Sequence, residues 1–266
     1  AVLPLDQFKL SLIEDYFDGD RDPEVGITLL NSFLDGGDYY LVKSMIERGV
    51  PLTEEVIERC ISSCDLGLYQ SLWPKYLKLT PELMNTVCLN GNLELVKWLR
   101  EHNCPWDEFA CVCAAENGHL DVLKWLRANG CPWDKFACAY AAENGHLDVL
   151  KWLRSNGCPW DIWSCAYAAK NGHLEVLKWL RSDELEPCPW NEDACKNSAY
   201  HGHLEVLKWL REHDCPWNEE TSEGAAKNGH LEVLKWAIEK YCPYKLNWLK
   251  NYGGIYPAIM EYLSTL

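Results

Sequence analysis

The sequence predicts an all-α solenoid, a stack of about eight short helix-turn-helix units with a capping segment at each end. Three observations predict it. First, Asn117-Gly-His-Leu-Asp-Val-Leu-Lys-Trp-Leu-Arg127 recurs at 144–154 and 171–181 and, slightly changed, at 201–211 and 228–236. Second, its glycine falls at Gly91, Gly118, Gly145, Gly172, Gly202 and Gly229, in steps of 27, 27, 27, 30 and 27. Counting back by 27 reaches Cys64 and Gly37, where degenerate copies stand. Third, a helix-capping residue opens each unit, in the column Thr53, Thr80, Asp107, Asp134, Asp161, Asn191, Asn218. A fixed period of roughly 20–50 residues marks supersecondary units that bury their apolar faces only by stacking.

In chain order, residues 1–36 read as an acidic N-terminal cap with helices over Asp6–Phe17 and Pro23–Leu34. The outer face of such a cap must be polar for solubility. The array occupies 37–244, and 106–130 is a representative unit. There Asp107 caps a first helix that runs to Glu116. Trp106 before the cap and Cys111 in the helix have the spacing of a hydrophobic staple. Asn117-Gly118 makes the turn. A second helix follows from His119, with Leu120, Val122, Leu123 and Leu126 as its apolar stripe. Asp121 lies near its positive end and Lys124 and Arg127 toward its negative end. Gly130 is a left-handed stop, matched in its column by Gly49, Asn103, Gly157 and Asp214. Residues 245–266 form a C-terminal cap, with helices over Leu246–Tyr252 and Pro257–Leu263 around Gly253-Gly254.

Ala-Ala-x-x-Gly-His-Leu-(Glu/Asp)-Val-Leu-Lys-x-Leu-x-x-x-Gly resembles the second half of an ankyrin repeat, over roughly residues 37–245. The Cys-Pro-Trp-Asp links are similar to short ankyrin variants common in large DNA viruses and protists. Two departures matter. Segments such as Phe136-Ala-Cys-Ala replace the usual Thr-Pro-Leu-His, and the repeat is 27 residues long against about 33 in the family. The residues lost are those of the protruding β-hairpin finger, so fingers are expected to be reduced or absent. The resemblance implies a non-enzymatic protein-interaction scaffold or adaptor, possible as a subunit of a larger complex, that binds through its concave helical face. The one 30-residue step inserts three residues within Ser182–Pro187, where a finger would stand. That segment reads either as a tolerated loop or as one retained finger.

The net charge of −15 is concentrated in two segments. Residues 1–36 hold eight acids and two bases, and 182–224 hold eleven acids and three bases. A nucleic-acid partner is disfavoured, because phosphate contacts need a basic surface. No apolar run approaches the ~20 residues that span a bilayer, and no signal-peptide pattern opens the sequence. Membrane insertion is therefore not expected.

The 14 cysteines fall largely in two columns. One is Cys104, Cys131, Cys158, Cys188, Cys215 and Cys242, each followed by proline; the other is Cys111, Cys138, Cys165 and Cys195. Neighbours in a column lie a helix-packing distance of ~8–10 Å apart, beyond the ~7 Å Cα reach of a disulfide. They read as small buried hydrophobes in a reducing, cytoplasmic compartment. A metal- or redox-responsive protein is the alternative from another class. Against it, His119, His146, His173, His203 and His230 each belong to a different unit, and no tight CxxC or HxxxH pair occurs. No nucleophile–base pair, phosphate loop or carboxylate pair points to an enzyme, and no cofactor is implied. The tryptophan column Trp98, Trp125, Trp152, Trp179, Trp209, Trp236 reads as wedges between units.

Candidate binding residues lie on the first helices, which are apolar nearly all round in the middle of the array. Two columns face the groove: Phe109, Phe136, Trp163, Asp193, Glu220 and Cys113, Tyr140, Tyr167, Asn197, Gly224. The expected site is an aromatic strip, Phe109, Cys113, Phe136, Tyr140, Trp163 and Tyr167, continued by an acidic stretch with Glu192, Asp193, Glu219 and Glu220. It suits a protein segment with apolar anchors and basic flanks.

Overall fold

The computed structural model describes residues 5–19, 21–182, 186–253 and 255–265, so the insertion within Ser182–Pro187 is centred on residues outside the described ones. Every regular element among the described residues is an α-helix, nineteen in all. The chain divides into two compact units, residues 1–106 and 107–266.

The first unit contains α1 (Leu5–Asp18), α2 (Pro23–Asp35), α3 (Tyr39–Glu47), α4 (Glu54–Ser62), α5 (Leu66–Leu72), α6 (Pro81–Asn90) and α7 (Leu93–Glu101). After α1 the helices pair as α2/α3, α4/α5 and α6/α7. Their turns place Gly37, Cys64 and Gly91 at φ of 71°, 50° and 83°. Cys64 thus takes a left-handed conformation at a position that glycine occupies elsewhere, which is how a degenerate copy keeps the register. Asn92 ties two of these turns together: its Oδ1 accepts from the Leu95 amide at 3.1 Å, and its Nδ2 donates to the Cys64 carbonyl at 2.9 Å.

The second unit continues the pattern. First helices α8 (Glu108–Glu116), α10 (Lys135–Glu143), α12 (Ile162–Lys170), α14 (Glu192–Tyr200) and α16 (Glu219–Lys227) alternate with second helices α9 (Leu120–Ala128), α11 (Leu147–Ser155), α13 (Leu174–Leu180), α15 (Leu204–Glu212) and α17 (Leu231–Glu239). A final pair, α18 (Leu246–Gly253) and α19 (Pro257–Ser264), closes the unit. All seven members of the capping column accept a backbone amide with their side-chain oxygen: Asp134, for example, takes the Phe136 amide at 2.9 Å. Each cap satisfies one of the amides that a helix start otherwise leaves unpaired.

Side-chain size separates two layers in this unit. Buried positions of α8, α10 and α12 are mostly alanine, such as Ala114, Ala115, Ala141, Ala142, Ala168 and Ala169. With no bulk to hold them apart, α10, α12 and α14 each pack on the first helices at both sides as well as on their own second helix. Second helices bury Val and Leu, for instance Val149, Leu150 and Leu153, and approach one another less closely. The first helices therefore form the tighter, inner layer.

Arginine and tryptophan join one repeat to the next on the second-helix side. Arg127, Arg154, Arg181 and Arg211 lay their guanidinium carbons 3.9, 4.2, 4.1 and 4.4 Å from the ring centres of Trp133, Trp160, Trp190 and Trp217. Each of those indoles meets, edge to face, the tryptophan of the next second helix: Trp133–Trp152 at 5.8 Å, and Trp160–Trp179, Trp190–Trp209 and Trp217–Trp236 at 6.0 Å. Arg127, Arg181 and Arg211 also donate to the carbonyls of Cys131, Cys188 and Cys215. One side chain so stacks on the incoming link and bonds to its backbone.

Candidate functional site

The inner layer buries most of each first helix and leaves one stripe open. Phe109 is 52% exposed, and Cys113, Phe136, Tyr140, Trp163 and Tyr167 are half-buried. Four of these rings make one chain. Phe136 and Tyr140 stand 6.5 Å apart, Tyr140 and Tyr167 5.8 Å, and Tyr167 and Trp163 5.6 Å, tilted by 49°, 58° and 43°. Offset, tilted contacts of this kind are favourable between rings. Phe109 stands apart, with no ring contact among the described residues. The hydroxyls of Tyr140 and Tyr167 and the indole N–H of Trp163 hold no hydrogen bond among the described residues, so the strip offers donors along an apolar face.

Ion pairs between repeats border the strip. Lys135 reaches the Asp161 carboxylate at 2.8 Å, and Lys170 reaches Glu143 at 2.7 Å. Burial pushes the Tyr167 hydroxyl's pKa up, helped by Tyr140, Glu143 and Asp161 and opposed by Lys170. At the α8 end burial also raises the Cys113 thiol, to about 11, with Glu116 and Asp107 adding to the effect. No basic residue lies between 107 and 116.

The acidic stretch differs in detail from the free negative potential that the residue columns imply. Glu220 pairs with Lys196 at 2.7 Å and Glu219 with Lys245 at 2.9 Å. Asp193 accepts from the Asn191 amide group at 2.9 Å. Glu192 has no ion pair among the described residues. Lys196 sits one helical turn after Glu192, a spacing that says nothing about a partner 24 residues on, so the pairing was not visible in the sequence. Where Gly224 replaces the tyrosine of its column the floor drops. A cleft of about 150 Å³ opens there, lined by Lys196, Tyr200, Glu220, Glu223, Gly224 and Lys227.

Charge is nevertheless segregated between the two layers. The five first helices with their caps (107–116, 134–143, 161–170, 191–200, 218–227) carry eleven acids and four bases. The five second helices, with Arg181 at the end of the third, carry seven acids and nine bases. The aromatic strip thus lies on the electronegative layer, and α8 with its cap is the one of the five first helices that carries acids and no base.

The histidine and cysteine columns serve the stack. His146, His173, His203 and His230 begin second helices, and each ring lies over the turn glycine of the preceding repeat, Gly118, Gly145, Gly172 and Gly202. Tyr256 covers Gly229 in the same way, so the C-terminal pair substitutes a phenol ring for the missing histidine. Thirteen of the fourteen cysteines are buried, Cys113 being the half-exposed one. Cys131, Cys158 and Cys188 point Sγ at the carbonyls of Asp107, Asp134 and Asp161 at 3.3 Å; Cys215 and Cys242 reach Asn191 and Asn218 at 3.4 Å. Every one of these thiols latches the end of a second helix to the cap of its own first helix. The two cysteine columns also meet each other, which comparison along a single column does not reveal. A neighbouring thiol (Cys158, Cys188 and Cys215 respectively) and burial together raise the pKa of Cys138, Cys165 and Cys195 far above the ordinary thiol value. Protonated, buried thiols are poor nucleophiles and poor metal ligands. No group of three or more His, Cys, Asp or Glu among the described residues could hold a metal ion. No helix among them is long and apolar enough to cross a membrane.

A family model described as ankyrin repeats (3 copies) matches residues 83–164 and 139–221, more than half of the chain. Among solved structures, the crystal structure of the human ASB11 ankyrin repeat domain is similar, at 17% identity and a TM-score of 0.45, covering 64% of this chain and 83% of that one. No curated protein matches the sequence.

Proposed function

The chain belongs to the ankyrin-repeat family, whose repeats are in general protein–protein interaction modules, and on that premise we propose that it is a non-enzymatic scaffold or adaptor that holds a partner segment on its first-helix face. The continuous ring chain Phe136–Tyr140–Tyr167–Trp163 carries the reading. Half-exposed aromatic rings on a rigid helical layer are the usual anchors of an interface, and one lost ring can cost ~2 kcal/mol or more. Phe109 and Cys113 extend the face at one end, and Glu192, Asp193, Glu219 and Glu220 at the other. The surplus of acids on this layer favours a partner with basic flanks, chiefly through its rate of association. Such a role is compatible with a peripheral subunit of a larger complex. Thiols in use as hydrogen-bond donors fit a reducing compartment such as the cytoplasm. The metal- or redox-responsive alternative finds no support in thiols held protonated by burial.

The test is capture of partners on the purified protein, followed by hydrogen exchange of the complex. Protection is expected over α10 and α12. Tyr140→Ala with Tyr167→Ala is expected to weaken capture more than Lys151→Ala with Lys178→Ala on the second helices. Protection confined to the second helices or to the 182–187 link would overturn the reading.

A further inference from the structure

A docking face on the first helices leaves open which conformation the bound segment takes, and the inference here rests on that face. We propose that the first-helix strip recognises a proline-rich segment in the polyproline II conformation, one turn per repeat, with its basic end over α8.

Period is the first argument. Packed helices of adjacent repeats advance by ~8–10 Å. A polyproline II chain has 3 residues per turn at about 3.1 Å each, so one turn advances about 9.3 Å. Every third residue of such a chain meets an equivalent site: first the Phe136–Tyr140 pair, then the Trp163–Tyr167 pair. An extended strand covers the same distance in about three residues, but its side chains alternate, so the third points away. Within the two pairs the rings stand 6.5 and 5.6 Å apart at tilts of 49° and 43°, in contact with each other, so a rigid pyrrolidine packs on the exposed edge of each pair with little loss of entropy.

Hydrogen bonding favours the same conformation. An α-helical segment also matches the step, with about seven residues per 10.5 Å, but its carbonyls are already bonded within the helix. Polyproline II has no internal hydrogen bonds, and its carbonyls need outside donors. Tyr140, Tyr167 and Trp163 present three donors that nothing among the described residues uses. On an apolar face, ring and donor together match a chain of apolar rings and bare carbonyls.

Charge sets the direction. The acids of α14 and α16 share their helices with Lys196 and Lys227, and Glu220 and Glu219 pair with Lys196 and Lys245, whereas α8 carries Glu108 and Glu116 with no base. Arginine or lysine beyond the last proline therefore belongs beside Phe109 and Cys113, on the helix whose Asp107, Glu108 and Glu116 have no base among them.

The experiment is fluorescence anisotropy on the full chain with a fluorescein-labelled peptide, proline at every third position and two arginines at one end. Binding is expected, weakened more than twentyfold by Tyr140→Ala with Tyr167→Ala. Tyr140→Phe with Tyr167→Phe keeps the rings and removes the donors, and about fivefold weaker binding is expected. Glu108→Lys with Glu116→Lys should flatten the salt dependence, while the same reversal at Asp121 and Asp148 on the second helices should not. Circular dichroism of each variant checks that it is folded. Equal binding of a peptide with proline at every fourth position overturns the proposal, as does failure of the every-third peptide to bind. A helical peptide with leucine at heptad spacing that binds in its place, indifferent to Tyr→Phe, refutes polyproline II recognition while leaving the docking face intact. Partner protection elsewhere on the chain removes the docking face itself.

Discussion

The imidazole of His146 lies over Gly118 so closely that a Cβ on the glycine would stand 2.7 Å from Nδ1. Gly118 also sits at φ 76°, where an L side chain is strained. Two requirements, one local and one across the repeat boundary, thus converge on a single residue type, and the same pair recurs as Gly145 with His173.

Gly145→Ala is therefore expected to cost about 2–3 kcal/mol, the left-handed strain plus displacement of the His173 ring. Gly130 is the control. Its φ is 82°, but nothing lies within 4 Å of the place a methyl group would take, so Gly130→Ala should cost only about 1 kcal/mol. Equal losses in urea denaturation would show that the histidine contributes nothing to the requirement.

Asp134→Ala removes the acceptor of the Phe136 amide and is expected to cost on the order of 1 kcal/mol. Asp134→Asn should keep most of the stability, because Asn191 and Asn218 do the same work two and three repeats on. A melt unchanged by the alanine variant would contradict a capping role.

Caps, turns and helix phases were legible in the sequence because each is decided within a few residues. Asp134 caps whatever helix follows it, and Cys64 could be placed in the turn column by counting alone. Relations that skip 20 or more residues were not legible. Nothing local announces that Cys158 donates to the Asp134 carbonyl, that Lys196 neutralises Glu220, or that Tyr256 replaces a histidine over Gly229. For the candidate site, the periodicity placed Tyr140 and Tyr167 in one column. Their mutual tilt, the idle hydroxyls and the isolation of Phe109 depend on side-chain angles that a column cannot express.

Thiol reactivity should follow burial. Cys113, half-exposed with its pKa near 11, is expected to react first with a thiol reagent in native protein, though slowly. Cys138 and Cys165 should label only after denaturation, since a neighbouring thiol and burial keep them protonated. Rapid native labelling of Cys138, read by mass spectrometry, would show that it is not held buried and protonated in the folded chain.

Glu223 is the acid whose folded-state pKa is raised, by burial first and by Glu219 and Glu220 after it, with Lys245 opposing; its buried Oε1 has no hydrogen-bond partner. A carboxyl with a raised folded pKa binds its proton more readily in the folded chain than in the unfolded one. Its contribution to stability therefore grows as pH falls through that raised value and is lost as pH rises again. Glu223→Gln should leave stability at neutral pH unchanged or improved, and should remove this part of the pH dependence between the folded and unfolded values. A marked loss at neutral pH would mean that the charged form is stabilised by a contact.

Arg127 tests whether the stack depends on the arginine–tryptophan joint. Its guanidinium lies 3.9 Å from the Trp133 ring centre and also bonds to the Cys131 carbonyl, so truncation loses a cation–π contact, a hydrogen bond and the packing of the stem. Arg127→Ala is expected to cost about 1–2 kcal/mol. Arg127→Lys keeps the charge but not the flat group that can stack on an indole and reach a carbonyl at once, so it should recover less than half of that loss. Arg127→Gln separates the two parts, keeping an amide donor without the cation. The joint recurs at Arg154, Arg181 and Arg211, so removing two neighbouring copies should cost more than the sum of the single changes when both border one repeat. Strict additivity of Arg127→Ala and Arg154→Ala in denaturant melts would show that each joint acts alone. Full rescue by lysine would show that charge, and not stacking, carries the contact.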